Sequence, residues 1–333
     1  TITISDIVRA EEVNGYAKNI HETYTSHRIP SRVPVDNDFM RLAGYYIAEG
    51  CIANRGINVC FSKHERAYIE DTKNIIEKVF HLKPTLKTEN NVTVILTYSK
   101  LVGDLFQILF GKYSYNKQIP HWMMLLPSDK QSELIKGIYR GDGCMREKDF
   151  CIVTNSRILT YQLRDIFLRM GIIPSVQRRS KEKLNKTPGN IGGRVIRFNH
   201  DKYHISVGGP SLEKMADLLG VGHKKIIERK GISRHAWIKD KYVFVPIREI
   251  SKEHYSGKVY NLAVQGNSTY VAKNFIVHNC DAPLFSGKDV VVVGGGNAGF
   301  ESAEQLLTYC PSVVLLEFGE AFKADPVTVD RVS

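Results

Sequence analysis

Two nine-residue stretches, Leu42–Gly50 (LAGYYIAEG) and Ile135–Gly143 (IKGIYRGDG), end alike in an acidic residue followed by glycine. Gly44 and Ala48 are four apart in the first, as are Gly137 and Gly141 in the second. That spacing is one face of a helix, and small residues on it let two backbones approach closely. Glu49 and Asp142 each stand one position after the second small residue. Two helices packed along these faces bring both carboxylates out at the same end, and the following glycines suit the exit from each helix. Paired carboxylates in a basic chain repel unless a cation shares them. Hard oxygen ligands favour Mg²⁺, which can bridge the carboxylates, a scissile phosphate and an attacking water. Glu49 and Asp142 are therefore the expected metal ligands and catalytic carboxylates.

A second chemistry is written in His278, Asn279 and Cys280, which follow the alternating segment from Val259. An asparagine side-chain amide can attack its own main-chain carbonyl, forming a succinimide and cutting the chain after Asn279. His278 can act as general acid toward the leaving amine. Cys280 supplies a thiol nucleophile that can accept an upstream acyl segment before that cut. A third pattern follows: strand, Gly294-x-Gly296-x-x-Gly299, helix, strand, and then Glu317, eighteen residues beyond Gly299. Such glycines let a pyrophosphate approach a helix N-terminus, with the acidic residue on ribose hydroxyls, favouring NAD over NADP.

These groups need elements to hold them. From Asp38 to about Lys230 there are two tandem stretches with one order of elements: a short helix ending in the acidic residue, strand-like segments, and a closing amphipathic helix. Such duplication predicts a pseudo-twofold arrangement in which each half covers the other's apolar face. Between the strands of the second copy, KEKLNKTPGNIGG reads as a basic surface loop. A β-rich segment is expected over 242–279, and a βαβ unit after Cys280. The net charge of +11 is uneven: residues 281–333 hold three Lys/Arg against eight Asp/Glu, which leaves +16 to residues 1–280. An excess of that size suits a polyanionic partner, most simply nucleic acid. The six cysteines show no zinc spacing, and apart from Cys280 they read as small buried residues. With no apolar run long enough for a bilayer and no leader pattern, the sequence predicts no membrane partner and a cytoplasmic location.

The paired acidic motifs resemble the LAGLIDADG family of homing endonucleases, over roughly residues 38–230. The resemblance implies a site-specific, Mg²⁺-dependent double-strand DNA endonuclease built from two αββαββα repeats, with paired helices at the centre and a saddle of strands on the DNA. It also implies an active-site lysine at Lys117, in NKQIP, with Lys224 or Lys225 as a weaker second. The second copy departs from the family pattern in Lys136 and Arg140. Val259–Cys280 resembles the C-terminal splicing motifs of inteins, which makes His278, Asn279 and Cys280 catalytic; here the departures are Asn261 and Ser268, and no starting Cys or Ser precedes Asp38. CDAPLFSGK, LLEF and KADPV resemble thioredoxin reductase-like flavoproteins, especially the flavoprotein component of alkyl hydroperoxide reductase. In such a host Gly294, Gly296, Gly299 and Glu317 bind cofactor, with FAD and NAD belonging only to the complete spliced protein.

The expected fold class is α+β. Residues 1–37 would be a remnant joining to a missing N-terminal splicing half. Residues 38–235 would be the endonuclease (repeats about 38–130 and 131–235), 236–279 a partial all-β Hint-type splicing segment, and 280–333 a partial Rossmann-like βαβ unit. The expected partners are duplex DNA at the host-gene junction lacking the insertion, and the missing N-terminal half. Two alternatives remain open: a DNA-binding protein on the same scaffold that no longer cleaves, and a flavoprotein disulfide reductase fragment.

Overall fold

The computed structural model describes residues 1–8, 19–21, 28–53, 56–186, 189–191, 194–222, 236–240, 242–247, 249–251, 253–254, 256, 269–272, 275–278 and 282–332. The fold is mixed α and β and divides into two compact units, 1–248 and 249–333.

The first unit holds two copies of one element order. The first copy runs α1 (Asn37–Glu49), β1 (Gly50–Ala53), β2 (Gly56–Ser62), α2 (Arg66–Phe80), β3 (Thr85–Glu89), β4 (Val92–Thr97) and α3 (Lys100–Phe110). The second runs α4 (Ser128–Asp142), β5 (Gly143–Met145), β6 (Asp149–Thr154), α5 (Arg157–Arg169), β7 (Pro174–Arg179), β8 (Lys202–Gly208) and α6 (Pro210–Leu219). The sheets are antiparallel with matching orders, β1-β2-β4-β3 and β5-β6-β8-β7.

Local chemistry accounts for the elements. Asp36 caps α1 by accepting from the Phe39 amide, Ser99 caps α3 through Val102, and Ser156 caps α5 through Leu159. Strand alternation sorts the side chains: Ile57, Val59 and Phe61 of β2 enter the core, as do Phe150 and Ile152 of β6. The first copy's core is aromatic, with Phe106 edge-on to Phe39, Tyr46 and Phe80.

The central feature is the packing of α1 on α4. A Cβ on Gly44 would lie 2.8 Å from the Gly137 Cα and 2.3 Å from the Leu134 carbonyl oxygen. On Gly137 it would meet the Arg41 carbonyl at 2.3 Å and the Gly44 Cα at 2.9 Å. Both neighbours are backbone, so the helices must separate to admit a methyl. Gly137→Ala is expected to destabilise the first unit by about 1–3 kcal/mol, read as a lower denaturation midpoint. Gly222→Ala, with nothing within 4 Å of the new Cβ, is the control and should be near neutral.

Two expectations need correction. KEKLNKTPGNIGG is not a plain loop: Lys181–Lys186 is helical, and Gly189–Ile191 pairs with Arg194–Ile196 as a hairpin. Ser180 Oγ accepts from the Lys183 amide at the helix start, and Asn185 exchanges two hydrogen bonds with the backbone of Phe198. Nor are the cysteines generally buried: Cys51 and Cys144 are exposed, Cys60 and Cys151 half-buried, and among the described cysteines Cys310 alone is buried. Strand alternation places the first four on the outward sheet faces. The opening residues contribute Ile4, Ile29 and Val33 to the core, all fully buried, with Ile2–Thr3 paired to Arg32–Val33.

In the second unit, Thr269–Ala272 pairs with Phe275–His278 as an antiparallel hairpin. Asp289–Val293 runs parallel to Ser312–Leu316, with helix Asn297–Leu306 between them in sequence.

Candidate active site

Glu49 and Asp142 end α1 and α4, and the glycine contact between those helices sets their ends side by side. A Cβ on Gly141 would fall 2.6 Å from the Ala48 Cβ and 2.8 Å from the Glu49 Cγ. The Asp142 carboxyl is pushed up to about 7, first by burial and then by the negative charge of Glu49, with Lys117 opposing. Glu49 is also raised, by burial and by Glu65.

Lys117 reaches the same place from the connection between the repeats. It is 4% exposed, and its ammonium donates to the Tyr46 carbonyl at 3.0 Å and the Gly50 carbonyl at 2.9 Å. Its Nζ stands 3.4 Å from the Tyr46 ring centroid, over the face. The cation thus caps the negative end of α1. Burial pulls it down to about 7, while Asp142 is among the groups that favour its charge. The structure therefore brings Glu49, Asp142 and Lys117 together.

Lys136 and Arg140, the departures of the second motif, do not enter this site. Lys136 pairs with Glu133 at 2.7 Å. Arg140 donates to the Tyr45 hydroxyl at 2.6 Å and lies 3.3 Å from Asp71, which also receives Arg41 at 2.7 Å. This network ties α1, α2 and α4 together. Sequence reading missed both the Tyr46–Gly50 cage and this network, because Asp71 and Tyr45 carry no motif.

The outward faces of the two sheets differ. On β7 and β8 the register sets Gln177 opposite His204 and Arg179 opposite Lys202. His204 is held below the ordinary histidine range by burial and by Arg179, Lys202 and Arg146, a sign of the positive field there. On β3 and β4 the corresponding outward pairs are Lys87 with Val94 and Glu89 with Val92, while Leu96, opposite Thr85, is buried.

The other expected residues lie elsewhere. The backbone of His278 closes the hairpin strand; its side chain, and Asn279, Cys280, Asn261, Ser268, Lys224 and Lys225, lie outside the described residues. In the second unit Gly294 has φ +118, and a Cβ on Gly299 would overlap the Gly294 carbonyl. Glu317 accepts from the amides of Gly295 and Gly319, which hold its carboxylate below the usual range. Among the described residues no helix is long and apolar enough to cross a membrane, and no group of three or more His, Cys, Asp or Glu gathers to hold a metal.

Residues 129–232 match the family model described as the LAGLIDADG-like domain. The match takes in α4 to α6 and contains Asp142. Among curated relatives, an uncharacterized protein of Methanocaldococcus jannaschii is 33% identical over 277 residues, 81% of this chain and 33% of that protein. The ATP-dependent DNA helicase Hel308 of Thermococcus kodakarensis is 28% identical over 279 residues, 80% of this chain and 24% of the helicase. An alkyl hydroperoxide reductase component of Escherichia coli is 44% identical over 163 residues, 48% of this chain and 29% of that protein. The chain spans about a third of the length of the first curated relatives it matches. The solved structure of I-DmoI in complex with DNA and Mn aligns with a TM-score of 0.41 at 13% identity, covering 57% of this chain and 100% of that one.

The raised carboxyl has a stability consequence. Its folded value, about 7, lies above the ordinary 3.8, so its contribution is complete below that ordinary value and is lost as pH rises through about 7. Asp142→Asn, in chelator, should leave the melting temperature nearly unchanged at about pH 3.5, below the ordinary value. At pH 8 it should stabilise by about 1–2 kcal/mol, less than the full shift because the group is partly solvated. Thermal melts at the two pH values check this.

Proposed function

We propose that the first unit is a Mg²⁺-dependent, site-specific double-strand DNA endonuclease. The observation that carries this reading is the pair Glu49–Asp142 at the joined ends of two glycine-packed helices, with Lys117 beside it. A half-buried Glu49 and a solvent-facing Asp142, both held above their usual range, fit a hard divalent cation. Two protein ligands suit an ion that fills its shell with water and phosphate oxygens. When bound, Mg²⁺ supplies charge neutralisation at the scissile phosphate and a more acidic water. Glu49 and Asp142 hold that position; Lys117, poised near neutrality, places a proton donor or a positive charge at the carboxylates. The basic sheet face of β7 and β8 is the surface for duplex phosphates and bases. The engagement of Arg140 with Tyr45 and Asp71 removes the main reason to favour a scaffold that binds without cutting.

This endonuclease reading sits within an intein reading. A match over most of the chain to a minor part of a helicase, beside a separate match to a reductase component, is what an insertion shared by different hosts produces. Val293 and Leu316, apolar strand residues left 82% and 52% exposed, fit a parallel sheet that further elements of a host complete. His278, Asn279 and Cys280 would then carry Asn cyclisation and acyl acceptance, and FAD and NAD would serve the spliced host alone. The DNA target would straddle the codon for Cys280, in a gene without the insertion.

A duplex carrying that uninterrupted junction, incubated with the chain and Mg²⁺, should give one staggered cut. Salt-sensitive binding without any cut would replace the endonuclease with a DNA-binding protein. Release of the segment after Asn279, abolished by Asn279→Ala, tests the splicing chemistry; no release from the parent chain would count against it.

A further inference from the structure

The four cysteines on the outward sheet faces fall into two pairs whose geometry differs. In the second repeat Cys144 of β5 stands directly opposite Cys151 of β6. The Arg146 amide donates to the Asp149 carbonyl two residues along, which marks that pair as hydrogen-bonded. By the alternation of an antiparallel ladder Cys144 and Cys151 form a pair of the same kind, with Cα atoms about 5.5 Å apart. That falls inside the range of roughly 4.4–6.8 Å that a disulfide spans. Opposite residues share a face, and this face is the outward one: Phe150 and Ile152, which flank Cys151, are buried, while Cys144 is exposed. Arg146 donates to the Cys151 sulfur at 3.2 Å, a cation that partly offsets the burial that pushes this thiol up. In the first repeat Cys51 stands opposite Asn58, so Cys60 is its diagonal neighbour. Diagonal positions lie about 7–8 Å apart, too far for a bridge without moving a strand.

We propose that Cys144 and Cys151 are a reversible redox site, a dithiol that closes to a disulfide across β5 and β6. With a disulfide such as oxidised glutathione as oxidant, the Cys144 thiolate attacks one of its sulfurs and releases a glutathione thiolate. The Cys151 thiolate then attacks the Cys144 sulfur of the mixed disulfide, forms the internal bond and releases the second glutathione thiolate. Two electrons pass to the oxidant, and the two protons from the cysteines go to the released thiolates. The bridge pins the strand that begins directly after Asp142 and takes Cys151 away from Arg146. Its consequence for catalysis, which rests on the endonuclease reading, is slower cleavage, since a displacement on the order of 1 Å at a reacting centre costs about a hundredfold.

The test is made on the full chain, reduced and then equilibrated with oxidised glutathione, alkylated, and digested with trypsin, which cuts at Arg146 and Lys148 between the two cysteines. Mass spectrometry should find the Cys144 and Cys151 peptides joined, at least about tenfold over any Cys51–Cys60 link. In Cys151→Ser the glutathione should stay on Cys144. Free alkylation of both cysteines, or equal bridging in the first repeat, overturns the proposal. Bridged protein should then cut duplex at least about tenfold more slowly than the same sample re-reduced. Equal rates overturn the catalytic consequence, whereas failure of the reduced protein to cut at all strikes the endonuclease reading and leaves the peptide map standing.

Discussion

Glu49→Gln or Asp142→Asn is expected to lower the rate of double-strand cleavage by about 10²–10³ while leaving duplex binding intact. The argument is electrostatic. Each carboxylate ends one of two helices held together by Gly44 and Gly137, and Lys117 is the cation that faces Asp142. Removing one negative charge relieves the repulsion that raises Asp142, so the variant fold should be sound. It also removes half of what would hold Mg²⁺ against the phosphate. Binding draws instead on Arg179, Lys202 and their neighbours on the β7–β8 face, and a carboxylate lost near phosphates should tighten it slightly. Cleavage rates and gel retention, measured on the same preparations, check both halves of the expectation. Variants that cut as fast as the parent would end the metal-centre reading; variants that lose binding as well would point to a collapsed helix pair.

Much of this was legible in residues alone. Glycines at 44 and 137 with an acidic residue five positions on are enough to demand a close helix contact and paired carboxylates, because no other residue fits where a Cβ would lie within 3 Å of backbone. The repeat order follows from the alternation between 3.6-residue and two-residue periods. What escaped was set by tertiary neighbours. Arg140 reads as a blemish in a motif until Asp71 and Tyr45, far off in sequence, are seen to take its charge. Lys117 is expected in the active site only through the family resemblance, since nothing local announces that the Tyr46 and Gly50 carbonyls will enclose it. Cys51 and Cys144 read as buried by residue type, yet strand parity turns them outward.

Lys117→Met is expected to slow cleavage by about 10²–10³ and at the same time to leave stability unchanged or higher below pH 7. The two signs separate the roles this lysine could have. Its folded pKa, about 7, lies far below the ordinary 10.5, so the stability it contributes is complete above that ordinary value and is lost as pH falls through about 7. Below that range the fold carries a charged, buried ammonium. Methionine keeps the length and the packing on the Tyr46 ring without that cost, though it leaves the Gly50 carbonyl to find water. A lysine present only to cap α1 would show the reverse: a lower melting temperature with cleavage little changed. Melts at pH 6 and pH 9 beside single-turnover cleavage decide between them, and the gain in stability should shrink at the higher pH. Arginine at the same site keeps the charge but is too large for the cage of two carbonyls and a ring. Lys117→Arg should therefore fail to restore cutting, because what the site uses is a compact ammonium whose proton is loosely held.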